Sequence, residues 1–295
     1  MQDLHLHSSF SFDSSADPEE NVKQAIKNDI KIMAFTDHDE TFCKHDQTLN
    51  FDVKKYFSTI DTLREKYKDQ IKILKGIEIG LGPDNADKIN DFIDKNDFDF
   101  VIGSIHAMDF QDIWQNRKNI EKDPKYHFRK YYQCMLDSVK KCNKFNILGH
   151  IDFIDRFIKD KNVIPEFSFY SDLIDEILKE IIKTNRGIEY NTAGFRNNLP
   201  HANPKDEILK RYKELGGTTI TIGSDSHFND TVSYKIYDGI DHLKELGFDH
   251  LSYFENKRKN YRNLKGSFRA FIHTFFYTQT HLPCGLQYCS LLFLS

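Results

Sequence analysis

A chain of 295 residues with 39% hydrophobic and 29% charged side chains can bury the core of one large α/β domain or two ordinary ones, and is not a disordered chain. Its net charge of −4 argues against bulk electrostatic attraction to nucleic acid, while leaving room for a local basic pocket that holds a phosphate. The five cysteines form no CxxC pair, Met1-Gln2-Asp3-Leu4-His5 does not read as a secretory signal, and no apolar run reaches the roughly 18 residues that span a bilayer. The expectation is a soluble cytoplasmic protein with no nucleic-acid partner and no membrane partner; the sequence leaves its oligomeric state open.

Short β-type runs then alternate with charged helical stretches. The first strand is expected at 2–7. Asp17-Pro18-Glu19-Glu20 follows as a helix start, with an N-cap, proline at the first helical position and acids that suit the helix dipole. Further strands are expected at 30–36, 71–79, 98–104, 145–150, 187–191 and 218–223. Helices are expected between them at 52–67, 86–95, 124–143, 171–183 and 204–215. Seven strands alternating with helices predict parallel βα units, either an open sheet or a barrel, in one domain spanning 1–264. The remainder, 265–295, is of another kind. From residue 266 onward the only charged side chain is Arg269, where the chain average gives about nine. That tail is either a docking segment that buries its aromatics on a partner or an appended segment with no selected role.

The chemistry gathers at the strand ends. In a strand, His5 and His7 stand on one face, about 7 Å apart along the chain, with Leu4 and Leu6 expected behind them. The second strand runs into Thr36-Asp37-His38-Asp39, the third carries Gly76-Ile77-Glu78-Ile79-Gly80, and the fourth ends Ser104-Ile105-His106. The fifth ends Gly149-His150 and the seventh ends Gly223-Ser224-Asp225-Ser226-His227. Six of the thirteen histidines thus fall at the C-terminal ends of expected parallel strands, which is where such sheets and barrels build active sites. Imidazoles and carboxylates without thiolate suit Zn, Mn or Fe, and the donors outnumber what one ion uses. A multinuclear hydrolytic centre follows from that count. His45, His127, His242, His250, His273 and His281 lack such placement and read as solvated, and Cys43-Lys44-His45 finds no supporting partner. His201 could face the mouth from the loop after the sixth strand.

These residues, in this order from about Asp3 to Phe254, resemble the PHP (polymerase and histidinol phosphatase) superfamily. Within it, Gly103-Ser104-Ile105-His106 followed by Trp114, Gly149-His150-Ile151-Asp152 and Glu189-Tyr190-Asn191-Thr192-Ala193-Gly194-Phe195-Arg196 look most like the histidinol-phosphate phosphatases. The resemblance implies a distorted (β/α)7 barrel with three divalent metal ions (Zn, Mn or Fe) at the C-terminal ends of its strands. Carried over by position, one ion would take His5, His7, Glu78 and Asp225, a second Asp13, His38 and His227, and a third Glu78, His106 and His150. Asp13 stands where some members carry histidine, a change that adds negative charge.

The reaction expected is hydrolysis of a small phosphorylated substrate, L-histidinol phosphate first, by a metal-bridging hydroxide. Arg156 and Arg196 are the expected phosphate-binding residues, because guanidinium offers phosphate a two-pronged donor. Asp225 or His227 is the candidate acid or base, and Asp109 and Asp152 are candidates to receive the amine or imidazole. Three other readings compete: a PHP phosphoesterase acting on a nucleotide or a polynucleotide, an amide or lactone hydrolase on a similar barrel, and a metal-stabilised binding module. The second of these often uses a bridging carboxylated lysine, a place that Glu78 fills here.

Overall fold

A computed structural model describes residues 1–44 and 51–264. The tail at 265–295, with His273 and His281, and His45 lie outside those residues. Seven parallel strands form the frame: β1 (Gln2–Leu6), β2 (Ile32–Phe35), β3 (Lys72–Gly80), β4 (Phe100–Ser104), β5 (Ile147–Leu148), β6 (Gly187–Asn191) and β7 (Ile220–Gly223), paired in chain order. The run closes nearly into a barrel. Between β7 and β1 the backbone makes two bonds of 2.8 Å, from His7 N–H to Ser226 O and from Asp225 N–H to His5 O.

Among the described residues, eight helices of nine residues or more pack around this frame: α1 (Pro18–Lys27), α2 (Val53–Tyr67), α3 (Ala86–Lys95), α4 (Ile113–Lys122), α5 (Pro124–Lys141), α6 (Ser171–Lys183), α7 (Asp206–Glu214) and α8 (Ile236–Glu245). The Asp17 carboxylate caps α1 through Glu20 N–H at 3.0 Å, with Pro18 inside the first turn. The helix expected at 124–143 ends at Lys141. Sequence reading missed α4 and α8. Only Ile113 and Ile120 of α4 are buried, too sparse a set to show a helical stripe.

A hairpin, β8 (His250–Glu255) and β9 (Arg258–Asn263), completes the described chain and was also missed. It gives Phe254 to the strand-lined cluster of Leu4, Ala34, Leu74, Phe100, Ile102 and Ile147, where Phe254 stacks on Phe100 at 5.6 Å. Gln2 also donates to Ser252 O at 2.8 Å. The hairpin therefore floors the barrel and leaves the C-terminal ends of the strands for polar groups. The pairing of β1 with β2 slips register between Asp3 and Leu6. Leu4 consequently joins the floor cluster while Leu6 packs in the outer, helix-facing core, so the two leucines do not share the backing face that simple alternation predicts.

Asp3 ties the barrel shut. Its buried carboxylate accepts from Ser224 N–H (2.8 Å), Ser224 O–H (2.6 Å) and Ser233 N–H (2.9 Å). Burial pushes its carboxyl up to about 6 despite those bonds. Asp3→Ala would leave three donors without their acceptor, and is expected to lower stability by about 3 kcal/mol in urea unfolding. A loss under about 1 kcal/mol would show that closure does not depend on this residue.

Candidate metal centre

His5 lies in β1 and His7 just past it, and Asp13 sits in the loop that follows. His38 opens a two-residue strand that pairs with β3 in register with Glu78. His106 and His150 come two residues after β4 and β5, and Asp225 and His227 follow β7. Parallel pairing brings these ends to one mouth. Gly223 permits a close approach, since a Cβ there would stand 2.3 Å from that of His5.

Glu78, fully buried, is the hub. Its Oε2 lies 3.1 Å from His5 Nε2, 3.1 Å from His38 Nδ1 and 3.4 Å from His7 Nε2. Its Oε1 lies 2.9 Å from His150 Nε2 and 3.4 Å from His106 Nε2, and accepts from Ser104 O–H at 2.6 Å. Asp225 Oδ1 stands 3.4 Å from His7 Nε2 and 3.7 Å from His5 Nε2. On the outer side, Asp13 Oδ2 lies 3.5 Å from His38 Nε2 and 3.3 Å from His227 Nε2. All nine residues singled out as candidate ligands meet here.

The donor set fits cations. His5 Nδ1 faces Glu189 Oε1 at 2.6 Å, an acceptor that places the hydrogen of a neutral ring on Nδ1. Its Nε2 then points a lone pair at His7 Nε2, 3.1 Å away, and at the Glu78 carboxylate. Such a crowd of lone pairs is stable only around positive charge. Three-donor sets whose ligand atoms lie within 4.8 Å of one another recur across the mouth: His7, His38 and His227; His5, His7 and Asp225; His5, Glu78 and His150; His38, Glu40 and His106. His38 Nδ1 and His150 Nδ1 are buried without a hydrogen-bond partner.

The carboxylates and imidazoles also shift one another's affinity for protons. Burial opposes the charged imidazole of His106, but the Glu40 and Glu78 carboxylates outweigh it and push it up to about 10. His5 is likewise held well above its ordinary value, with Glu189, Glu78 and Asp225 overcoming burial. Burial and the neighbouring His227 and His38 push His7 well below its own. Glu78, Asp225 and Asp13 are all depressed: burial works against their charge, and the surrounding histidines overcome it, with Arg156 assisting at Asp225. A field that favours carboxylate and imidazolium together also favours a divalent ion.

Both arginines reach this site. Arg156 donates to Asp225 Oδ2 at 2.9 Å, Asn191 Oδ1 at 3.0 Å and Asn203 Oδ1 at 2.8 Å, with its guanidinium over the Phe153 ring. Arg196 Nη2 donates to the Asp225 carbonyl at 2.7 Å, while its buried Nη1 has no hydrogen-bond partner. The carboxylates expected to receive an amine do not reach it. Asp109 pairs with Lys130 on the surface, and Asp152 is spent inside on Asn203 Nδ2 (2.6 Å) and Lys205 N–H (2.8 Å). His201 faces a different cavity with Lys205 and Lys235. Asp152, Asp155 and His201 bring donors together too, but Lys205 Nζ at 2.6 Å from Asp155 Oδ2 already supplies a cation. His242 and His250 bond Asp206 and Asp249, and His127 is half-buried.

Three site residues escaped sequence reading. Glu40, two places after His38, is fully buried against His106 Nδ1 at 2.5 Å. Glu189 backs His5 and accepts from His150 N–H at 3.0 Å. Asp112 caps α4 through Gln115 N–H at 3.0 Å and lines the mouth. The spacing His38-x-Glu40 repeats that of His5-x-His7 and was a signal for Glu40, as the family-like stretch that opens at Glu189 was for Glu189. Above the cluster opens a cavity of 430 Å³, walled by Phe12, Trp114, Phe153 and Phe157 and the size of a small-molecule pocket. Phe153 stacks on His150 at 4.6 Å, and Phe12 and Trp114 stand more than half exposed at the rim.

The PHP domain family matches residues 3–193 of the chain. A histidinol-phosphatase of Lactococcus lactis is 32% identical over 274 residues, 89% of this chain and 98% of the relative. A probable histidinol-phosphatase of Clostridium acetobutylicum is 34% identical over 230 residues, 78% of this chain and 88% of the relative. Among solved structures, the Lactococcus lactis histidinol phosphate phosphatase complexed with zinc, L-histidinol and phosphate superposes with a TM-score of 0.78 at 29% identity, covering 88% of this chain and 98% of that one.

Proposed function

The chain belongs to the PHP domain family, and from that premise we propose that it hydrolyses small phosphate monoesters at a three-metal centre, with L-histidinol phosphate as the favoured substrate. The observation that carries this reading is the placement of four carboxylate oxygens around six buried or half-buried histidines beneath a cavity of 430 Å³. His5, His7, Glu78 and Asp225 would hold one ion, Asp13, His38 and His227 a second, and Glu78, His106 and His150 a third, with Glu78 shared. The ions, Zn, Mn or Fe, when bound, supply a nucleophile near neutral pH and positive charge for the ester oxygens.

The chain's own residues supply the rest. Arg156 and Arg196 flank Asp225 and would orient the phosphoryl group; the unpartnered Nη1 of Arg196 keeps a donor available for it. Asp225, depressed as it is, suits a carboxylate's role and not an acid's. His227 is raised, because Asp13 and Asp225 overcome its burial, so of the two it is the group that takes a proton more readily. The aromatic wall and Asp112 would receive the leaving group, which suits the flat imidazole and the cationic amine of histidinol.

Arg196→Ala is expected to lower kcat/KM on phosphate esters by about 10²-fold, as loss of one charge-stabilising donor does. Unchanged kinetics would remove it from the site. Phosphate release from L-histidinol phosphate, nucleoside monophosphates and p-nitrophenyl phosphate, measured side by side, tests the substrate. Strong preference for the first supports the proposal; preference for a nucleotide would keep the centre and replace the substrate.

A further inference from the structure

We infer that Glu40 is a positioning residue of this centre, holding the His106 ring so that Nε2 faces the ion shared by Glu78 and His150. The inference rests on the metal-centre reading above and adds to it a residue outside the nine ligands. Glu40 Oε1 stands 2.5 Å from His106 Nδ1, and the opposite ring nitrogen stands 3.4 Å from both Glu78 Oε1 and His150 Nε2. A ring whose Nδ1–H is fixed on a carboxylate presents its Nε2 lone pair in one direction only, and the carboxylate makes that lone pair a better donor. Glu189 does the same for His5 on the far side of Glu78. The two carboxylates, Glu40 and Glu189, thus brace the imidazoles on either side of the hub.

The place of Glu40 is built. The carboxylate is fully buried, and its Oε2 accepts from the Cys43 thiol at 2.9 Å. Gly80 leaves room for it, since a Cβ there would meet Glu40 Oε2 at 2.6 Å and Cys43 Sγ at 2.4 Å. Glu40 Oε1 also lies 3.4 Å from His38 Nδ1, which puts its charge beside two of the three proposed sites.

The full chain, stripped of metal and equilibrated in zinc buffers, tests this by counting bound zinc. Wild type should bind three ions. Glu40→Gln, which keeps the shape and removes the charge, should bind one of the three about 10- to 100-fold more weakly. His106→Ala should lose the same ion, and adding Glu40→Gln to it should cost nothing further, because Glu40 acts through that ring. Gly80→Ala, which displaces Glu40 without removing it, should weaken the same ion and serves if Glu40→Gln does not fold. Three ions bound with wild-type affinity in Glu40→Gln or in Gly80→Ala would overturn the inference and leave the centre intact. Fewer than three ions in wild type would instead overturn the three-metal reading.

Discussion

Glu78→Ala is expected to lose at least one of the three ions and to lower kcat/KM on phosphate esters by about a thousandfold or more. No other side chain touches so many of the donors. Its two oxygens stand within 3.4 Å of His5, His7, His38, His106 and His150, and it is depressed well below the ordinary carboxylate range by His5, His106 and His38 in spite of burial. Removing it takes away the one carboxylate that stands beside all five of these imidazoles. With the shared ligand gone, the two ions it would hold lose a common donor and the negative charge that offsets their repulsion. Metal counting and steady-state kinetics on the same preparation check both parts. If all ions and most activity survive, Glu78 is not the bridge.

Returning zinc to the stripped chain is expected to raise its thermal midpoint, and to raise it more at about pH 8 than at about pH 6. At a free zinc level 100 times its dissociation constant, each ion adds about 2.7 kcal/mol. The pH sense follows from the ion-free state. His106 has its pKa raised from 6.5 to about 10, so the stability that its charged form gives is fully present below 6.5 and declines as pH rises toward 10. His5 is raised in the same direction. At low pH a metal must displace those protons before it binds; at higher pH it meets fewer protons and a less stable ion-free chain. Scanning calorimetry at the two pH values checks this. An equal rise at both, or none, would contradict it.

The strand frame was legible because parallel, two-sided burial leaves continuous apolar runs, and all seven strands fall where such runs stand. Eight of the nine candidate ligands were legible because each lies in or just beyond the end of one of those runs, while Asp13, well into the loop after β1, came only through the family resemblance. What escaped reading depends on the third dimension. Glu40 and Glu189 act by backing other side chains, and nothing in their own neighbourhood says which histidine they touch. Asp109 and Asp152 were near the right motifs in sequence, yet one turns outward to Lys130 and the other is consumed by Asn203. The closing hairpin was missed because β9, Arg258-Lys259-Asn260-Tyr261-Arg262-Asn263, has five polar residues in six and reads as loop. Its partner β8 carries the apolar side of the pair, with Leu251 and Phe254 turned into the protein.

The most direct measurement of the central claim is phosphate release from L-histidinol phosphate, followed while metal is returned stepwise to the stripped chain. The account predicts negligible release without metal, a rise that completes at three bound equivalents, and loss again on adding chelator. Full activity in stripped protein, or no release in protein shown to hold three ions, would contradict it.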